Sequence, residues 1–160
     1  MVSNAFDLLL NDLGAALKIK DLNLDEHNTC LIKFPSGLQV YIEPSNREEG
    51  QALIYTNIAE LPVGRFREDV LKEALKANGF SYPRYGIFAF SEGNQQLVLF
   101  QFLPMKNLTG ERVADFLDIF MKRALAWKDP ITRNEVPIAT TLENSGSAIR
   151  SQGFFGGLIR

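Results

Sequence analysis

A single cysteine, Cys30, stands among the 160 residues, so no disulfide can close within the chain. A lone thiol suits a reducing compartment, and a cytoplasmic location is expected. A single histidine, His27, excludes a metal site built on two histidines of one chain. Charge of one sign is also missing: 17 Lys and Arg stand against 19 Asp and Glu, for a net charge of −2. A nucleic-acid binder should carry a basic patch or stripe, and nothing larger than pairs such as Lys122-Arg123 is present. No apolar run approaches the roughly 18 to 20 residues of a membrane span, so no membrane insertion is expected. The opening stretch MVSNAFDLLLNDLGAALKIK has no basic leader and carries Asp7 and Asp12 inside its apolar pattern, so it does not read as a signal peptide. Walker A, GxGxxG and GxSxG patterns are absent, and Gly153, Gly156 and Gly157 do not lie between a strand and a helix. His27 sits in the polar turn DEHNT, whereas Cys30 falls in an alternating strand. That separation reads as a solvated histidine and a buried structural thiol rather than a nucleophile and its base. Asp25, Glu26, Glu48 and Glu49 fall in loops, where charged groups normally face water. No cofactor, no metal and no catalysis are therefore expected.

What is present is apolar patterning. Phe6, Leu9, Leu10, Leu13 and Leu17 follow the spacing of one helix face over residues 3–18, with Ser3 or Asn4 placed to cap it. Strands are predicted over 29–34, 38–44 and 51–61. In the second, Leu38, Val40 and Ile42 alternate with Gln39, Tyr41 and Glu43. Short connections make these three an antiparallel meander. A second helix is predicted over 65–78, with Asn78-Gly79 as its stop. A third is predicted over 110–128, with Thr109 as N-cap, Leu108 and Val113 as a staple across it, and Asp129-Pro130 as its end. The order α-β-β-β-α-β-β-α, with strands clustered, predicts a single α+β domain over 1–130 with helices on an antiparallel sheet. Residues 131–160, rich in Thr, Ser, Asn and Gly, read as a flexible tail or one held by contacts with a partner.

The hairpin GIFAFSEGNQQLVLFQFLP, residues 86–104, departs from the usual alternation. Val98, Phe100 and Phe102 point one way, Leu97, Leu99 and Leu103 the other, and Phe88 and Phe90 add to the aromatic load. A sheet wet on one face should alternate apolar with polar. Both faces here are apolar, and monomers seldom expose large apolar patches. The second face should meet a protein, either another copy of the chain or a client peptide, unless a helix of the chain itself covers it.

The phrases FDLLLNDLGAAL, IAELP, REDVLKEALKANG and ERVADFLDIFMKRALAW, in this order around a Pro-Ser-Gly turn and an aromatic hairpin, carry a resemblance. The chain resembles the class I type III secretion chaperones, the Tir-chaperone family, over about residues 3–129. The resemblance implies a small acidic cytoplasmic homodimer in bacteria that binds the N-terminal region of one or a few secreted effector proteins in extended form. It implies a dimer built through the second helix and last strand pair, which makes Val70, Leu71, Ala74, Leu75, Phe100 and Phe102 dimer candidates. It implies client grooves that use the first helix and the sheet, which makes Phe6, Leu9, Leu10, Leu13, Leu38, Val40 and Ile42 groove candidates. The paired Phe154-Phe155 in GFFGGLIR make the tail a further occupant for such a groove. Two other readings stay open. One is a homodimeric adaptor or regulatory domain of the same fold, bound to another folded protein. The other is a small-molecule binder or enzyme with a pocket near Cys30 and Tyr41.

Overall fold

Strand alternation and helical periodicity fix the elements. The computed structural model describes residues 4–80 and 85–143. In chain order these are α1 (Asn4–Leu17), β1 (Cys30–Lys33), β2 (Gln39–Pro44), β3 (Gln51–Glu60), α2 (Arg65–Asn78), β4 (Ile87–Ser91), β5 (Gln96–Pro104) and α3 (Gly110–Thr132). The strands form one five-stranded sheet in the order β1-β2-β3-β5-β4, flanked by the helices. The fold is the α+β arrangement that the element order predicts. The first three strands are the expected meander, with Cys30 opposite Ile42 and Tyr41 opposite Tyr55. The last hairpin enters with β5 inside and β4 at the edge. The chain folds as two compact units, one built from residues up to Thr56 and from Phe100–Ile119, the other from Asn57–Leu99 and from Phe120 on.

In the first unit, alternate strand residues turn inward. Cys30, Ile32, Val40, Ile42, Ala52 and Ile54 are buried, as are Phe6, Leu9, Leu10 and Leu13 of α1 and Val113 and Leu117 of α3. Thr56 is buried as well, and its hydroxyl donates to the Gln39 carbonyl at 2.8 Å, which satisfies the polar group a strand interior would otherwise strand. Helix α1 ends in a Schellman turn. Lys18 is left-handed (φ 56°), its N–H donates to Ala15 O, and the Ile19 N–H donates to Gly14 O. The expected cap at Ser3 or Asn4 lies outside the described side chains. Thr109 does cap α3: its hydroxyl accepts the Arg112 N–H at 3.2 Å.

In the second unit the core is Ile58, Leu61, Val70, Ala74, Ala77, Phe88, Leu97, Leu99, Phe120, Ala124 and Trp127. The Phe88 and Trp127 rings lie 4.3 Å apart. Asn78 is more than a helix stop. Its amide oxygen accepts the Phe88 N–H at 2.8 Å and its Nδ2 donates to the Phe88 carbonyl at 2.9 Å. An edge strand needs such a partner, and the side chain supplies it. Arg67 fixes the hairpin turn. It donates to Leu61 O and to Gln95 Oε1 and stacks over the Phe90 ring at 4.8 Å.

The third helix does not stop at Asp129-Pro130. It runs to Thr132 with Pro130 inside its last turn. The turn then closes as a Schellman motif in which Glu135 N–H donates to Pro130 O, Asn134 N–H donates to Ile131 O, and Asn134 is left-handed at φ 57°. Because the helix ends within two residues of it, Pro130 disturbs only one terminal hydrogen bond. Beyond it, Ile131, Pro137 and Ala139 are buried and a short helical turn occupies residues 139–143. Residues 144–160, and with them Phe154-Phe155, lie outside the described residues.

Candidate binding surfaces

Helix α1 presents an apolar side to solvent as well as to the core. Leu8 is 64% exposed. With Ala5, Leu9, Asn11, Asp12, Ala15, Met105 and Leu108 it lines an open groove of about 650 Å³. The groove wall is stiff where α1 meets the start of α3. Asp12 accepts the Gly110 N–H at 2.6 Å, and a Cβ on Gly110 would fall 2.2 Å from the Asp12 carbonyl carbon. Only glycine permits that approach.

The outer sheet face of the same unit is aromatic. Leu31, Tyr41 and Tyr55 sit opposite one another across β1, β2 and β3. Tyr41 and Tyr55 stack at 4.9 Å, and Phe100 meets Phe102 edge-on at 6.0 Å. Leu31 is exposed, while Tyr41, Leu53, Tyr55, Phe100 and Phe102 are half-buried. Burial, together with the carboxylates of Glu43 and Asp25 and the neighbouring Tyr41, pushes the Tyr55 hydroxyl above the ordinary range. The hairpin thus has the two apolar faces expected: Leu97 and Leu99 are fully buried, and Val98, Phe100 and Phe102 remain half-open.

The outer side of α2 is different in kind. Leu75 is 71% exposed and lines a recess of about 550 Å³ with Asp69, Lys72, Glu73, Lys76 and Val136. Glu73 accepts the Lys76 ammonium at 2.7 Å and the Ala139 N–H at 2.9 Å, and both bonds hold its carboxyl below the usual range.

The seven groove candidates from the sequence come together mainly inside, and Leu9 also lines the open groove. Phe6, Leu9, Leu10, Leu13, Leu38, Val40 and Ile42 are each no more than 7% exposed. The periodic stripe of a helix on a sheet is the stripe the core consumes. The rest of the groove surface lies beside it, at Leu8, Ala15, Met105 and Leu108, residues that periodicity passes over. Of the six dimer candidates, Val70 and Ala74 are likewise buried. Leu75 is exposed on α2 and Leu71 is half-buried, and Phe100 and Phe102 lie on the open face of the first unit. Cys30 and Tyr41 do not share a pocket. Cys30 points into the core opposite Ile42, and Tyr41 points to the other face opposite Leu31. Burial also raises the Cys30 thiol pKa, which keeps it a weak nucleophile. Among the described residues no three His, Cys, Asp or Glu side chains converge as a metal site, and no helix is long and apolar enough to cross a membrane.

Residues 8–128 match the model of the Tir chaperone protein (CesT) family. The fold is also similar to solved structures. The crystal structure of the Yersinia pestis type III secretion chaperone SycH in complex with a stable fragment of YscM2 matches at 16% identity, over 76% of this chain and 98% of that one, with a TM-score of 0.61. A chain of the HopA1–SchA chaperone–effector complex matches at 14% identity, over 78% and 94%, with a TM-score of 0.59. A chain of the ExoT–SpcS complex from Pseudomonas aeruginosa matches at 14% identity, over 77% and 97%, with a TM-score of 0.58. No curated protein matches the chain in sequence.

Proposed function

Because the chain belongs to the Tir chaperone protein (CesT) family, we propose that it is a cytoplasmic type III secretion chaperone. It acts by binding, without catalysis and without a cofactor. Its client is the N-terminal region of one or a few secreted effector proteins, held extended, soluble and ready for export. The family match over residues 8–128 carries this reading, and the surfaces fit it.

An extended client offers apolar side chains and unpaired backbone. The groove at Leu8, Ala15, Met105 and Leu108 takes the first, with Phe6, Leu9, Leu10, Leu13, Leu38, Val40 and Ile42 as the rigid wall behind it. The open face with Tyr41, Tyr55, Phe100 and Phe102 offers further apolar area. Edge strand β1 takes the backbone by strand addition. The working species is a homodimer, joined through the outer side of α2 at Leu71 and Leu75. Ordering a long client costs free energy, so a rigid, preformed receptor is what tight binding requires.

The test is gentle purification of the tagged chain from its own bacterium. A larger protein at one copy per two chains, with a protease-protected segment near its N-terminus, is the expected result. A chain that purifies without any polypeptide partner while its effectors remain soluble overturns the reading.

A further inference from the structure

The family match stops at residue 128, and the described part of the chain continues to Glu143. That added segment is fastened at two points. Glu73 of α2 accepts the Ala139 N–H, and Arg123 of α3 pairs with Glu143 at 3.0 Å, with the two side chains only 11% and 15% exposed. The Arg123 guanidinium also donates to Gly86 O and lies 4.7 Å over the Phe88 ring. So held, the segment turns Val136 (36% exposed) and Ile138 (56%) to solvent, and Val136 shares a recess with Leu75.

Asp69, Lys72, Glu73 and Lys76 border that recess. They stand at i, i+3, i+4 and i+7, one stripe of a helix, with signs −, +, −, +. Such a stripe is its own complement. When two copies meet about a twofold axis with their helices antiparallel, Asp69 of one comes beside Lys76 of the other, and the helix dipoles oppose. A client segment of one charge sign would find half of the stripe repulsive. A second copy of this chain sets a charge of the other sign opposite each of the four, beside the pairs Arg65–Asp69 and Lys76–Glu73 that form within one copy.

We infer that residues 135–143 extend a self-docking surface on α2, and that a second copy of this chain covers Leu75, Val136 and Ile138. This rests on the homodimer proposed above and adds a segment beyond the family match to it.

The experiment is a dilution series of the full chain by analytical ultracentrifugation. The double variant Val136→Asp/Ile138→Asp changes exposed side chains, so circular dichroism should show an unaltered fold while dimer dissociation rises at least tenfold. Asp69→Lys and Lys76→Glu should each weaken self-association, and an equimolar mixture of the two should restore it as a heterodimer. An unchanged dissociation constant in the double variant, or a mixture in which no heterodimer forms, overturns the inference. Effector-segment binding is measured separately by titration. If no effector binds but the dimer responds as described, the self-docking surface stands and the secretion reading falls.

Discussion

The helices α1 and α2 are each 14 residues long, and each exposes one leucine, Leu8 at 64% and Leu75 at 71%. They differ in how they are held and in what surrounds that leucine. Helix α1 is anchored by four large side chains, Phe6, Leu9, Leu10 and Leu13. Helix α2 buries only Val70, Ala74 and Ala77, and polar links from Arg67 and Asn78 hold it as well. Around Leu8 lie Ala5, Leu9, Ala15, Met105 and Leu108 with Asn11 and Asp12; around Leu75 lie Val136, two acids and two lysines. Exposure of a leucine therefore does not say what binds it. A groove with one acid among apolar residues accepts a range of apolar segments, whereas charges of alternating sign accept a defined partner.

The comparison breaks most sharply at the supports. Replacing Gly110 by Leu should cost about 3 kcal/mol or more, because the obstacle is the α1 backbone rather than a side chain that can swing away. In the second unit, Trp127→Ala should cost about 3–5 kcal/mol through the cavity it leaves. Trp127→Phe should cost under about 1.5 kcal/mol, since the indole Nε1 has no hydrogen-bond partner to lose. Urea unfolding of the three variants checks all of this, and a Phe variant as damaged as the Ala variant would show that the indole is held by more than packing. Next in size is Asn78→Ala, at about 2 kcal/mol, because it leaves both backbone groups of Phe88 without their partner. Helix α1 is tied through Asp12 to the start of α3, and Asp12→Ala should cost only about 1 kcal/mol, the loss of a cap on α3.

Surface change should separate binding from stability. Leu8→Asp should leave the unfolding midpoint within about 0.5 kcal/mol of the parent and weaken effector-segment binding roughly tenfold, as loss of about 1.4 kcal/mol of apolar contact requires. Isothermal titration with the effector segment reads the affinity. Leu75→Asp should do the reverse, sparing the titration per dimer and weakening self-association.

The elements were largely legible because local periodicity determines them. Val40 and Ile42 alternate with Gln39 and Tyr41, α2 begins and ends at 65 and 78, and Thr109 announces α3. Sheet order was not legible, since a hairpin pattern reads the same whether β4 or β5 lies inside. Nor was the bond from Asp12 to Gly110, which joins residues 98 apart and depends on a missing Cβ. Pro130 misled because a breaker signal cannot tell the last turn of a helix from the turn after it. The groove candidates are mostly buried for a deeper reason. Patterning finds the face that folding buries, and a binding surface is made from what patterning leaves over.

The smallest expected effect concerns acid. The Lys76 ammonium, and after it the Ala139 N–H, hold the Glu73 carboxyl below its ordinary 4.5. A lowered folded-state value means that ionised Glu73 stabilises the fold fully above that ordinary value. The contribution fades as pH falls through the lowered one. Asp25 is also lowered, by the Thr29 N–H first, but its partners lie within four residues, so its protonation loosens only its own turn. Glu73 reaches a residue 66 positions away. Protection of the Ala139 amide, taken relative to its intrinsic exchange rate, should therefore fall as pH drops through the lowered Glu73 value while the sheet stays protected, and Glu73→Gln should show the reduced protection already at neutral pH. Equal exchange in parent and variant at pH 7 would mean that packing of Ala139 alone holds the added segment, and that the α2 surface is no more dependent on charge than the α1 groove.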